Sequence, residues 1–149
     1  MNLLKDIIAF TTQSPIAIIG VSENKRKFGN MAYFELKKRG IQIIPVHKDL
    51  KTFDNQKCFN KIEELPSEVK AVVLITKSDT IETLLKECDE KGIKNVWIQQ
   101  GAEPDNMKEI VEKFSLNIIY KECILMFLKP TGFHKFHGSV KKLFGKYPK

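Results

Sequence analysis

The segment Pro15-Ile-Ala-Ile-Ile-Gly-Val-Ser22 decides the fold of this 149-residue chain. Its run of four aliphatic residues predicts a buried strand, and Gly20 allows the chain to turn sharply where that strand ends. The segment Ile41-Gln-Ile-Ile-Pro-Val-His-Lys48 follows about twenty residues after the turn and predicts the next parallel strand. A strand, a turn, a helix and a second strand at this spacing are typical of a nucleotide-binding βαβ unit.

The rest of the chain continues this alternation, so we expect one domain over residues 1–128. Because βαβ crossovers are short and right-handed, the pattern predicts an α/β fold. Specifically, we expect a Rossmann-like, doubly wound, parallel five-stranded sheet with helices on both faces. The predicted strands are Ile16–Ile19, Ile41–Val46, Ala71–Ile75, Lys94–Ile98 and Asn117–Ile119, and the predicted helices are Leu3–Thr11, Gly29–Arg39, and two that carry Ile81–Cys88 and Met107–Phe114.

Local signals orient two of these helices. In the second helix, the spacing of Met31, Phe34 and Leu36 predicts side chains that face mostly inward. Ser78 or Asp79 is expected to cap the third helix, because a short polar side chain satisfies the first free N–H groups of a helix.

In such a sheet, ligands bind beyond the carboxyl ends of the strands, where the strand order reverses. After the first strand, Gly20 permits close backbone approach, and the Ser22 hydroxyl can bond a phosphate oxygen. Gly29 and Asn30 open the next helix, whose first N–H groups and positive dipole end favour a diphosphate. Lys27 adds a positive charge. The alternative is that these residues form only a turn and a solvated basic loop.

The end of the second strand indicates which nucleotide fits. The loop lacks the GxGxxG fingerprint, since the next glycine after Gly20 is Gly29. The acid that binds the ribose 2′-hydroxyl in NAD sites is also missing, because His47 and Lys48 follow the strand. A cation here suits a phosphorylated ribose, as in NADP or coenzyme A, and disfavours NAD.

Four ordered motifs resemble those of small stand-alone CoA-binding proteins, which are related to the CoA-binding domain of the succinyl-CoA synthetase α-subunit. They are IAIIGVS at 16–22, KFGN at 27–30, IIPVHK at 43–48 and VWIQQG at 96–101, and the resemblance covers roughly residues 14–127. It implies contacts with the CoA diphosphate after the first strand, and places the second strand end beside the adenosine 3′-phosphate. The third strand end would lie along the nucleotide or pantetheine, and Gln100 and Gly101 would match the turn after the fourth strand. The expected cofactor-binding residues are Gly20, Val21, Ser22, Lys27, Phe28, Gly29, Asn30, Pro45, Val46, His47, Lys48, Ile75, Thr76, Lys77, Gln100 and Gly101.

The chain departs from the family pattern at two strand ends. His47 and Lys48 stand where the second motif more often has Asn-Pro, and Lys77 stands where the third commonly has Arg. The resemblance brings no phosphohistidine loop or ligase domain with it. It therefore implies a ligand and does not imply the synthetase reaction.

The net charge of +7 belongs mostly to the end of the chain. Residues 129–149 hold six lysines and no acid, which leaves 19 basic and 18 acidic groups in the preceding 128 residues. A neutral domain argues against nucleic-acid binding. We interpret residues 129–149 as a basic tail that packs on the domain or on a second copy, giving a homo-oligomer; an anionic partner is the alternative. No apolar run is long enough for a membrane span, and three widely spaced cysteines suit reduced thiols, so we expect a cytoplasmic protein.

No catalytic constellation is evident. Cys123 follows the fifth strand as either a reactive thiol or a structural one. His134 and His137 lack further ligands to complete a metal site. We therefore expect a protein that binds CoA or acyl-CoA without evident catalytic residues, and that senses, carries or presents the thioester. The alternatives are an NADP-linked oxidoreductase, or an interaction module acting through the tail.

Overall fold

A computed structural model describes residue 2 and residues 4–129. A five-stranded sheet forms its centre, in the order β2-β1-β5-β6-β7, and every neighbouring pair is parallel. A separate two-stranded hairpin is formed by β3 and β4. The elements are α1 (Leu4–Thr11), β1 (Ile16–Ile19), α2 (Phe28–Lys38), β2 (Ile43–Val46), β3 (Thr52–Phe53), β4 (Gln56–Lys57), β5 (Ala71–Leu74), α3 (Ile81–Lys91), β6 (Asn95–Gln99), α4 (Met107–Glu112) and β7 (Asn117–Glu122).

Helices cover both faces of the sheet, because alternate strand residues point to opposite sides. On one face, Ile16 and Ile18 pack in a cluster with α1 and α2. On the other face, Ala17 packs in a cluster with α3 and α4. The predicted doubly wound, Rossmann-like α/β fold is confirmed.

The strand order places β1 between β2 and β5. After β1 the chain forms β2 on one side of that strand, and it later returns to form β5 on the other side of the same strand. This reversal opens a crevice at the carboxyl ends of the three strands. The residues that follow β1, β2 and β5 therefore converge on one place.

The prediction for the inward face of α2 was wrong at two of three positions. Met31 and Phe34 are 52% and 49% exposed, whereas Leu36 is buried. Ala32 and Tyr33 fill the inward positions one turn before Leu36. The ring of Phe34 instead lies on the outer surface, 5.1 Å from the Tyr33 ring centre.

Several local boundaries also differ from prediction, and two of them have a clear structural cause. Neither Ser78 nor Asp79 caps α3, because both belong to a 3₁₀ turn over Ser78–Thr80 that precedes the helix. The strand β2 begins at Ile43 and not at Ile41, since the Ile41 N–H donates to the Leu36 carbonyl at 3.1 Å and completes the end of α2.

The stretch between β2 and β5 folds back onto the end of β2. After the hairpin, Phe59 forms an isolated parallel bridge with Val46. A single 3₁₀ turn, Ile62–Glu64, then leads toward β5. This stretch therefore forms one side of the crevice.

In the part of the chain that is described, no helix is long and apolar enough to cross a membrane. The predicted tail lies outside the described residues from position 130 onward, as do His134 and His137.

Candidate nucleotide-binding site

Two glycines bring the end of β1 against its neighbours. Gly20 has φ +139°, and a Cβ there would lie 2.4 Å from the Ile75 carbonyl oxygen. A Cβ on Gly29 would lie 1.9 Å from the Gly20 carbonyl oxygen. Only glycine fits either position without movement of backbone atoms. The first turn of α2 is therefore held directly beside the turn that ends β1.

Asn30 holds the loop between β1 and α2 in place. Its Oδ1 accepts from the Ser22 N–H at 2.7 Å, and its Nδ2 donates to the carbonyls of Ser22 at 2.6 Å and Asn24 at 3.3 Å. The residue is 4% exposed. Because both ends of its amide bond the loop, Asn30 has a positioning role in the structure.

The loop presents donors toward the crevice. The Ser22 Oγ accepts from the Asn24 N–H at 3.1 Å, so its own proton remains free to bond an anion. Lys27 occupies the N-cap position of α2, and its side chain makes no capping hydrogen bond. The first N–H groups of this helix therefore lack a side-chain cap, as expected where an anion binds.

The chain after β2 forms a turn that is held by side-chain hydrogen bonds and presents the exposed cation of Lys48. The Asn60 side chain donates to the carbonyls of His47 at 3.0 Å and Leu50 at 2.9 Å. The Nδ1 atom of His47 accepts from the Asp49 N–H at 3.1 Å, which assigns the proton of the neutral ring to Nε2. Lys48 is 85% exposed, with its Nζ 4.0 Å from Asp49 Oδ2, so its ammonium is loosely held and available to a ligand.

Two grooves meet at the strand ends. One of about 560 Å³ runs between the end of β2 and α3, and one of about 410 Å³ runs toward the end of β6. Gly20, Thr76 and Lys77 line both grooves. The first groove also brings together Val21, Val46, His47 and Lys48, and the second Ser22, Lys27, Ile75, Gln100 and Gly101.

Four predicted residues line neither groove. Phe28 and Gly29 belong to the first turn of α2, and Pro45 is buried within β2. Asn30 lines a separate hollow with Ser22. These positions support the shape of the loop and the sheet.

The sequence interpretation missed the outer wall of the larger groove. Asn60 and Ile62 come from the irregular stretch after the hairpin, which has no periodic pattern to place them. Leu84 and Glu87 lie on α3, four and seven residues after Thr80, and this helical spacing could have indicated that the three residues share a face. In the smaller groove, the omissions were Ala102 and Gln99, and the side-chain oxygen of Gln99 accepts from the Ile124 N–H at 3.1 Å.

The cysteines differ in their surroundings. Cys88 is buried, which raises the pKa of its thiol to about 12, and burial also raises the pKa of the Cys58 thiol. Neither is a thiolate at neutral pH. Cys123 is partly exposed and packs against the apolar cluster on the α1 and α2 side. Among the described residues, no group of three or more His, Cys, Asp or Glu side chains could hold a metal ion.

Curated relatives include CoA ligases. The α-subunit of the ADP-forming acetate–CoA ligase II of Pyrococcus furiosus is 28% identical over 120 residues, covering 73% of this chain and 26% of that protein. The ADP-forming acetate–CoA ligase II of Archaeoglobus fulgidus is 28% identical over 115 residues, covering 69% of this chain and 17% of that protein. The chain thus spans about a quarter or less of these ligases.

Solved structures share the fold. A conserved hypothetical protein from Pyrococcus furiosus has a TM-score of 0.70 and 30% identity, covering 74% of this chain and 95% of that one. The dinucleotide-forming acetyl-coenzyme A synthetase 1 of Candidatus Korarchaeum cryptofilum has a TM-score of 0.57 and 19% identity, covering 68% of this chain and 23% of that one. The profile of the CoA binding domain family matches residues 14–129. The chain belongs to the CoA binding domain family.

Proposed function

We propose that this protein binds coenzyme A or an acyl-CoA thioester at the crevice formed by the ends of β1, β2 and β5. The observation that carries the proposal is the position of His47 and Lys48. They line the same groove as Gly20, the glycine of the phosphate loop. A nucleotide with a diphosphate and a further ribose phosphate carries negative charge at both places.

The two grooves suit the two halves of the ligand. The diphosphate would lie on the turn after Gly20 and at the uncapped start of α2, and the adenosine 3′-phosphate beside Lys48. The second groove, past Lys77 toward Gly101, offers a path for the pantetheine arm. The close packing at Gly20 and Gly29 supports this assignment, because it holds the first turn of α2 beside the turn that ends β1 and so brings the N–H groups of both to one place.

We infer a role in sensing, carrying or presenting the thioester, without evident catalytic residues. The relatives that are named as ligases are several times longer than the matched segment. An NADP-linked oxidoreductase is the rival function, because NADP also carries a phosphorylated ribose.

Isothermal titration with CoA, dephospho-CoA and NADPH tests the ligand. We expect CoA to bind up to about fivefold more tightly than dephospho-CoA, because ion pairs of exposed side chains contribute about 0.2–1 kcal/mol and Lys48 is 85% exposed. NADPH should bind more weakly than CoA. Tighter binding of NADPH than of CoA would contradict the proposed ligand and favour the rival function.

The variant Lys48→Ala should remove most of the preference for CoA over dephospho-CoA. The matched control is Lys51→Ala, which deletes an exposed lysine three residues away that does not line the groove. Equal loss of the preference in both variants would show that general positive charge, and not Lys48 itself, attracts the 3′-phosphate.

A further inference from the structure

The outer end of the larger groove carries polar groups that the phosphates leave unused. Thr80, Leu84 and Glu87 form the wall contributed by α3 and the residue that precedes it. Their spacing of four and three residues places them on one helix face over roughly 10 Å. Of these three residues, Glu87 lies farthest from the strand ends.

The Glu87 carboxylate is half-buried, and among the described residues it forms no hydrogen bond or ion pair. Nearby acids of the same helix are engaged. Glu82 pairs with Lys113 at 2.7 Å, and Glu90 lies 3.8 Å from Lys86. Two carboxylate oxygens at Glu87 are therefore free to accept hydrogen bonds from a molecule in the groove.

The groove walls between Glu87 and the strand ends are apolar, whereas on its other side Glu87 lines a second hollow with Lys61, Glu63, Glu90 and Lys91. Val46 and Ile62 are 3% and 1% exposed on the β2 side, and Leu84 is partly buried on the α3 side. The pKa of the neighbouring Lys61 is raised chiefly by Glu63, whose carboxylate lies 3.1 Å from its ammonium, and to a smaller extent by Glu87, so Glu63 is the main partner of Lys61. An apolar slot that ends in a free acceptor suits a flat aromatic base with an amino group on its edge.

We propose that Glu87 determines which base the groove accepts, with its carboxylate accepting a hydrogen bond from the exocyclic amino group of adenine. This inference rests on the proposed binding of CoA, and it identifies a specificity residue for that site. Leu84 contacts the base from the α3 side. The phosphates remain at the loop and at Lys48, so the base and phosphate contacts are separable by mutation.

The test compares two nucleotides that differ only in this amino group. Adenosine 3′,5′-bisphosphate and the corresponding purine riboside bisphosphate, which has hydrogen in place of the amino group, are each titrated into the full chain. The wild-type protein should prefer the adenosine form by about tenfold, the lower limit for a hydrogen bond to a charged acceptor. Glu87→Ala should abolish the preference, and Glu90→Ala, on the same helix but outside the groove, should retain it.

The milder variant Glu87→Gln keeps a neutral acceptor and should retain about threefold preference, since neutral bonds are roughly half as strong. An equal preference in wild type and in both Glu87 variants overturns the role of Glu87 while leaving CoA binding intact. Failure of the wild-type protein to bind CoA or either bisphosphate overturns the proposed function as well.

Discussion

The substitution Gly29→Ala adds one methyl group at the point where the site is most tightly packed. The new Cβ would lie 1.9 Å from the Gly20 carbonyl oxygen, whereas ordinary van der Waals contact begins at 3.4 Å. The first turn of α2 must therefore move by about 1.5 Å, because Gly20 itself is packed against the Ile75 backbone and cannot retreat. This movement displaces the N–H groups that we assign to the diphosphate.

Two energy terms oppose each other in this variant. Alanine in a helix is favoured over glycine by about 1 kcal/mol. Overpacking in a closed site costs about 1–3 kcal/mol and occasionally more, and here the opposing atoms are backbone. We expect Gly29→Ala to lower the free energy of unfolding by about 2 kcal/mol, and to weaken CoA binding by about tenfold or more because the phosphate contacts lose their geometry.

The matched control is Gly92→Ala at the end of α3. Gly92 has φ +79°, and nothing lies within 4 Å of the added Cβ. Because alanine is strained in this left-handed conformation, Gly92→Ala should lower the free energy of unfolding by about 1–2 kcal/mol and leave the CoA affinity unchanged. Urea denaturation gives the stabilities of both variants, and calorimetry gives their affinities. If Gly29→Ala binds CoA as tightly as wild type, the assignment of the diphosphate to this loop is wrong.

Two further perturbations test the loop and the hairpin. Asn30→Asp keeps the acceptor for the Ser22 N–H, but it loses both donated hydrogen bonds and places a negative charge against the Ser22 carbonyl. We therefore expect the free energy of unfolding, measured by urea denaturation, to fall by about 2 kcal/mol, and CoA binding to weaken. Tyr33, whose hydroxyl donates to Asp54 and accepts from Gln56, has its pKa raised to about 12, mainly by burial. The unfolded chain releases this proton near pH 10, so stability present below pH 10 should be lost as the pH rises toward 12. Tyr33→Phe should lose less stability over this interval; equal pH slopes would exclude Tyr33 as the cause.

The sequence predicted the sheet because its signals are local and strong. The aliphatic runs at Ile16–Ile19 and Ala71–Leu74 indicate strands buried on both faces, and Gly20 ends the first of them. Parallel topology then brings the strand ends together, which is why most of the predicted residues line the two grooves.

The residues of the outer wall of the groove could not be predicted from the sequence, because tertiary contacts bring them there. Asn60 reaches it through a bridge between Phe59 and Val46 that no periodic pattern indicates. The inward face of α2 was predicted wrongly because Ala32 and Tyr33 pack against the sheet, whereas the apolar Met31 and Phe34 remain exposed. Hydrophobicity alone does not determine the rotation of a helix whose apolar residues surround it.

The central claim is that CoA binds where β1, β2 and β5 end. Backbone amide chemical shifts recorded during titration of the full chain with CoA test this claim directly. We predict saturable shifts at Gly20, Ser22, Gly29 and Lys48, with Gly92 unchanged. Saturable shifts confined to other surfaces, or no saturable shifts at all, would contradict it.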